Sequence, residues 1–184
     1  HLVEALLARG ERVRVLDDLS TGSRANLPGG VELLVGDVAD AALARRAMAG
    51  VSGCFHLAAV ASVQRGNEDW LGTHRSNLTG AVAVFDAARD AAGPAPVPVA
   101  YASSAAVFGD NQDLPLTEAS ATGPLSAYGA DKLGCELHGR VAALVHGVPT
   151  TGLRFFNVYG PRQDPRSPYS GVIAIFADRA RRGL

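Results

Sequence analysis

The chain has 184 residues, with 17 Lys and Arg against 18 Asp and Glu and a formal net charge of −1. That length suits one domain with its own core, and a near-neutral charge without a basic block argues against a nucleic-acid partner. The apolar stretches are short and broken by Gly, Arg or Asp, so neither a membrane span nor a signal peptide is read.

His1 to Gly10 predicts an amphipathic helix with a glycine stop. It starts without a methionine, a preceding strand or an N-cap, so the chain reads as truncated. Val13 to Asp18 is expected as a short strand ending in carboxylates, and Val31 to Asp37 as another. Asp40 is placed to cap a helix running from Ala41 to Ala49. Cys54 to Ala59 predicts a buried strand entering a small-residue loop. A longer helix is expected from Trp70 to Ala92, closed by the turn Gly93-Pro94-Ala95-Pro96. Then come a strand from Val97 to Ala102, a helix from Ser126 to Val145, a strand from Thr150 to Phe156 and a helix from Gly171 to Arg182. Cys54 and Cys135 fall in apolar runs, read as small buried hydrophobes, and suit a reduced cytoplasm.

Strands alternating with helices at this pitch predict an α/β fold with a doubly wound parallel sheet covered on both faces. Ligands of such sheets bind beyond the carboxyl ends of the strands. Asp17, Asp37, Ser104 and Asn157 fall at those ends.

The chemistry concentrates in two segments. Tyr128 and Lys132 stand four apart on a helix and so share a face, one turn apart. There an ammonium favours the tyrosinate and makes Tyr128 a usable proton acceptor. Upstream, Ala102-Ser103-Ser104-Ala105-Ala106-Val107-Phe108-Gly109 follows an apolar run and ends at a glycine, which leaves a serine at a strand end. His56 also falls at a strand end and is tempting as a catalyst, although a histidine there is more often structural.

Serine, tyrosine and lysine in this order have the catalytic layout of short-chain dehydrogenases/reductases. Further stretches fit the same pattern: Val15 to Gly22, Gly36-Asp37-Val38, His56-Leu57-Ala58-Ala59, Asn77-Leu78-Thr79-Gly80, and Leu153 to Arg162. With them the chain resembles, over essentially its whole length, the extended branch of NAD-dependent nucleotide-sugar epimerases/dehydratases, and most of all UDP-sugar 4-epimerases.

The resemblance implies a Rossmann-like NAD-binding domain truncated at both ends. A first strand and glycine-rich pyrophosphate loop would precede His1, and most of a C-terminal substrate lobe would follow Leu184. Such a piece, expressed alone, is expected to be poorly soluble and inactive. In the cofactor site, Asp17 takes the place of the acid that accepts hydrogen bonds from the adenosine ribose, with Asp18, Ser20, Thr21 and Gly22 in the same turn. A carboxylate there repels a 2′-phosphate and favours NAD over NADP, while Arg24 nearby leaves a small opening for NADP. Asp37 and Val38 would flank the adenine, and Leu57, Ala58 and Ala59 would line the dinucleotide groove. Asn77 matches a cofactor-contacting position that a plain helix asparagine would imitate. Ala102 and Ser103 join the cofactor set, as does Phe156 near the nicotinamide, where a core aromatic would look the same.

For the reaction, the resemblance implies that Tyr128 takes the proton of the sugar C4 hydroxyl. Lys132 holds the nicotinamide ribose and Ser104 bonds the C4 oxygen. Asn157 would contact the phosphates of a UDP-sugar, with Ser62, Val63 and Val172 on the substrate side. Relatives that eliminate water carry an Asp-Glu pair after the active hydroxyl residue. Here Ala105 and Ala106 stand in those positions and transfer no proton, which argues against a dehydratase. A homodimer in the cytoplasm, without metal, membrane or nucleic acid, completes the expectation. A sugar dehydrogenase/reductase of the same family is the alternative. A non-catalytic NAD(P)-binding regulator is a further one, although such regulators typically lose the Tyr-Lys pair.

Overall fold

Alternation of short β-branched runs with alanine-rich amphipathic segments produces parallel strands joined by helical crossovers. The computed structural model describes residues 1–91, 93–163 and 171–184, with Val63 described by its backbone alone. The strands are β1 (Arg14–Asp17), β2 (Glu32–Val35), β3 (Cys54–His56), β4 (Val99–Ser104) and β5 (Thr150–Phe155). All pair in parallel, in the orders β1-β2 and β3-β4-β5. Parallel pairing through helical crossovers is the α/β arrangement expected from the sequence. Within each sheet every strand therefore points its carboxyl end to the same edge.

The helices are α1 (Leu2–Ala8), α2 (Ala41–Met48), α3 (Val63–Glu68), α4 (Trp70–His74), α5 (Gly80–Arg89), α6 (Ala127–His146) and α7 (Val172–Arg181). Asp40 caps α2 as the sequence predicts, accepting from the amides of Ala42 and Leu43 at 2.9 and 3.1 Å. Ser126 caps α6 through the Gly129 amide, and Gly147 closes that helix in the left-handed conformation at φ 68°. The core packs Ala44 and Met48 of α2, Ala81, Val84, Phe85 and Ala88 of α5, and Val99 and Tyr101 of β4 with Cys135 and Ala142 of α6. Burying one Val or Phe of this set stabilises by about 1.5–3 kcal/mol. Tyr101 meets Phe85 edge to face at 5.5 Å.

Two features depart from the sequence expectation. The single helix expected from Trp70 onward is α4 and α5 joined by a π-helical turn at Arg75–Thr79, and it ends at Arg89. Ala92, the expected end, lies outside the described residues. Such wide turns are often found at functional sites, and this one carries Asn77 inward. The loop expected after β3 instead contains α3, capped by Ser62, whose hydroxyl accepts from the Arg65 amide at 3.1 Å. Gly66 brings α3 against α6: a Cβ there would stand 3.7 Å from the Tyr128 amide nitrogen. Among the described residues, no helix is long and apolar enough to cross a membrane.

Candidate active site

The site forms at the carboxyl end of β4. Burial alternates along that strand, so Ser103 faces the interior and Ser104 the open side. Ser103 is 2% exposed and donates to Glu136 at 2.5 Å. Its hydroxyl is thus committed inside the fold. Ser104 opens a 3-10 turn, Ala105–Phe108, and accepts from the Ala106 amide at 3.1 Å. Because the hydroxyl acts there as an acceptor, its proton is free for a ligand oxygen.

The first turn of α6 abuts that 3-10 turn because position 129 is glycine. A Cβ at Gly129 would lie 2.7 Å from the Ala106 carbonyl oxygen and 3.0 Å from the Pro124 side chain. The contact sets Tyr128 beside the end of β4. One turn further, Lys132 is 3% exposed and donates to the Ala102 carbonyl at 2.8 Å. Its ammonium lies 5.8 Å from the centre of the Tyr128 ring. The segments Ala102–Ser104 and Tyr128–Lys132, apart in sequence, are therefore brought together. Burial pulls the Lys132 ammonium below its ordinary range.

His56 ends β3 beside this cluster. Burial, then the neighbouring Lys132 charge, lowers it to about 4, so its imidazole is neutral at ordinary pH. That favours the structural role for His56.

The other candidates follow the ends of the other strands. Asp17 ends β1 and accepts from the Leu19 amide at 2.7 Å through Oδ1. A Cβ at Gly22 would stand 3.1 Å from that oxygen, so the turn closes tightly over the carboxylate. Asp18 accepts from both the amide and the hydroxyl of Ser20 at 2.9 and 2.7 Å, and the Ser20 hydroxyl leads in lowering its pKa. Thr21 and Gly22 are exposed in the same turn. Beyond β2, Asp37 accepts from the Ala39 amide at 2.8 Å and from Arg75 at 3.0 Å. Val38 is partly buried beneath Gly80, where a Cβ would meet it at 2.6 Å. Beyond β3, Leu57 is half exposed and Ala58 and Ala59 are half buried.

Three expected site residues are engaged internally. Asn77 is fully buried, accepting from the Val60 amide at 2.8 Å and donating to its carbonyl at 3.3 Å. It clamps the loop after β3. Ser62 caps α3, and Ser103 is held by Glu136. After β5, Phe156 is exposed with its ring 6.4 Å from that of Phe108, and Asn157 is exposed. Val172 opens α7 in an exposed position, and of Val63 only the backbone is described.

The sequence reading missed two polar clusters behind the site. Arg154 of β5 forks onto Glu136 of α6 at 2.8 and 2.7 Å and stacks over Phe108 at 4.8 Å. His74 of α4 meets the buried Asp131 of α6 at 2.8 Å. Glu136 falls one turn after Lys132, which is the one local hint. The partners in each pair are 18 and 57 residues apart, and only the fold brings them together.

The model of the family described as NAD dependent epimerase/dehydratase matches residues 1–184. UDP-glucose 4-epimerase of Corynebacterium glutamicum is 35% identical over 159 residues, covering 84% of this chain and 46% of that protein. UDP-glucose 4-epimerase of Streptomyces lividans is 32% identical over 185 residues, covering 95% and 53%. The chain thus spans about half the length of the curated relatives it matches. A crystal structure of Thermus thermophilus UDP-glucose 4-epimerase in complex with NAD superposes with a TM-score of 0.88 at 37% identity, covering 100% of this chain and 59% of that one. A Thermotoga maritima UDP-glucose 4-epimerase with UDP-glucose gives 0.91 at 31% identity over the same shares. With an α/β parallel sheet, a Ser-Tyr-Lys cluster at its carboxyl edge and a family match over its whole length, the chain belongs to the NAD dependent epimerase/dehydratase family.

Proposed function

We propose that the protein carrying this chain epimerises C4 of a UDP-hexose with NAD, through a transient 4-keto sugar. The observation that carries this reading is the convergence of Ser104, Tyr128 and Lys132 at one strand end.

The residues present fit the dinucleotide. Asp17 has a carboxylate at the end of β1 whose Oδ2 accepts no hydrogen bond among the described residues, ready for ribose hydroxyls. Lys132 spends one of its three donors on Ala102 and retains two for a second ribose. Leu57, Ala58 and Ala59 allow close approach of a flat ligand between these two ends. Bound NAD supplies reversible hydride acceptance at the sugar C4. The chain's own residues do the rest. Tyr128, as tyrosinate favoured by the buried Lys132 charge, takes the proton of the C4 hydroxyl and later returns it. Ser104 donates a hydrogen bond to the C4 oxygen. Asn157 after β5 is assigned to the phosphates of the substrate, with Ser62, Val63 and Val172 toward the sugar.

A homodimer in the cytoplasm belongs to the same reading. Leu137, Val141, Leu144 and Val145 make an exposed apolar stripe on α6 that supports it.

Asp17 should make the protein prefer NAD strongly, because a carboxylate facing a 2′-phosphate is unfavourable. Titration of the full-length protein with both dinucleotides checks this, and tighter binding of NADP would reverse the assignment.

Ala105 and Ala106 provide no group for elimination, so incubation of UDP-glucose in deuterated water should give the C4 epimer with no deuterium on carbon and no net consumption of NAD. Accumulation of a 4-keto-6-deoxy sugar deuterated at C5 would replace the epimerase reading with a dehydratase. Stoichiometric release of NADH would point to the dehydrogenase instead.

A further inference from the structure

Asp131 stands out among the polar groups that the proposed reaction does not use. It is 4% exposed, sits between Tyr128 and Lys132 on α6, and has one carboxylate oxygen bonded to His74 Nδ1 at 2.8 Å. Its other oxygen, Oδ2, is buried without a hydrogen-bond partner among the described residues. A carboxylate in that state is costly, and a neutral asparagine or an apolar residue would avoid the cost. His74, at the end of α4, has a side chain 44% exposed, so the pair runs from the surface to the helix that carries the proposed acid-base residues.

The charged and titratable groups around Asp131 are few. His74 faces it from α4, and Tyr128, Lys132 and Cys135 share its helix. On β3, His56 is neutral and faces Lys132. From the π-helical turn, Arg75 is turned away onto Asp37. Burial pulls the Lys132 ammonium down, while Cys135 and Asp131 pull it back. Cys135, pushed up to about 11 mainly by burial, is an uncharged thiol at neutral pH. That leaves the Asp131 carboxylate as the anion that offsets the burial of Lys132.

We infer that Asp131 is a positioning residue of this site: its buried carboxylate, anchored to α4 by His74, holds the Tyr128–Lys132 helix and places a negative charge beside both side chains. The inference rests on the acid-base roles proposed above for Tyr128 and Lys132. Its electrostatic content is testable without turnover.

The test is a pH titration of the Tyr128 phenolate in the full-length protein. It is followed by ultraviolet absorbance as the difference from the Tyr128→Phe variant, with UDP-glucose turnover measured in parallel. Removing a buried anion makes the neighbouring acids release their protons more readily. In Asp131→Asn the phenolate midpoint and the pH profile of turnover should both move to lower pH by ~1 unit, the scale of one close charge. His74→Phe removes the hydrogen bond and leaves the Asp131 carboxylate in place, so its midpoint should move less than that of Asp131→Asn. Circular dichroism establishes that each variant folds. An unmoved midpoint in folded Asp131→Asn overturns the inference, even if activity falls at every pH. Unfolding of both variants also overturns it, since the pair would then be a structural clasp only. A shifted midpoint in a protein that never turns over UDP-glucose upholds the role of Asp131 and removes the epimerase reading instead.

Discussion

Replacing Tyr128 with phenylalanine is expected to lower kcat by ~10²–10⁴-fold, the loss typical of a removed acid-base group. The ring and its contacts survive the change, and Lys132 keeps its bond to the Ala102 carbonyl. Cofactor affinity should therefore change far less than turnover. Rates of C4 epimerisation by the full-length protein, set beside an NAD titration of the same variant, separate the two effects. Turnover close to that of the unmodified protein would remove Tyr128 from the reaction, and with it the reading of the site.

The largest effect on stability is expected at the fork between Arg154 and Glu136. Removing one partner of a fully buried ion pair costs about 3–5 kcal/mol. The two side chains here remain 22% and 17% exposed, so water screens part of the interaction. Glu136→Ala should accordingly cost about 2–3 kcal/mol, because the Arg154 guanidinium and the Ser103 hydroxyl both lose their acceptor. Burial pushes the Glu136 carboxyl up, but hydrogen bonds from Arg154 and then Ser103 outweigh it and hold the group below its ordinary value of 4.5. A carboxyl depressed in the folded state stabilises fully above that ordinary value and loses its contribution as the pH falls through the folded one. Urea unfolding of the full-length protein at pH 7 and at acid pH checks both statements. Glu136→Gln should narrow the gap between the two midpoints. Equal midpoints for Glu136→Ala and the unmodified protein at pH 7 would show that the fork adds nothing.

Much of the architecture was legible locally. Asp40 before an alanine-rich run, Gly147 after the Tyr-Lys helix, and the alternation of Val-rich and Ala-rich segments are short-range signals, and each element appears within a few residues of its expected place. The spacing of Tyr128 and Lys132 also depends on helix geometry alone, so their shared face followed from sequence.

The misses share one cause. Helix α3 is six residues long with a glycine inside, too short for periodicity to register. The π-helical turn exists because Asn77 is drawn onto Val60, 17 residues away, and Gly80 must pass under Val38. Neither partner is visible from the local pattern.

The sequence by itself determined the strand-helix order, the caps and the shared face of Tyr128 and Lys132, because backbone propensity and the 3.6-residue repeat act over a few residues. The tertiary structure decided which hydroxyl is free. Ser103 and Ser104 are the same residue type side by side, yet strand alternation turns one onto Glu136 and leaves the other accepting from the Ala106 amide with its proton uncommitted. It also decided that Asp131 is buried against His74 rather than solvated, since the charge of a helical aspartate says nothing of what packs over it.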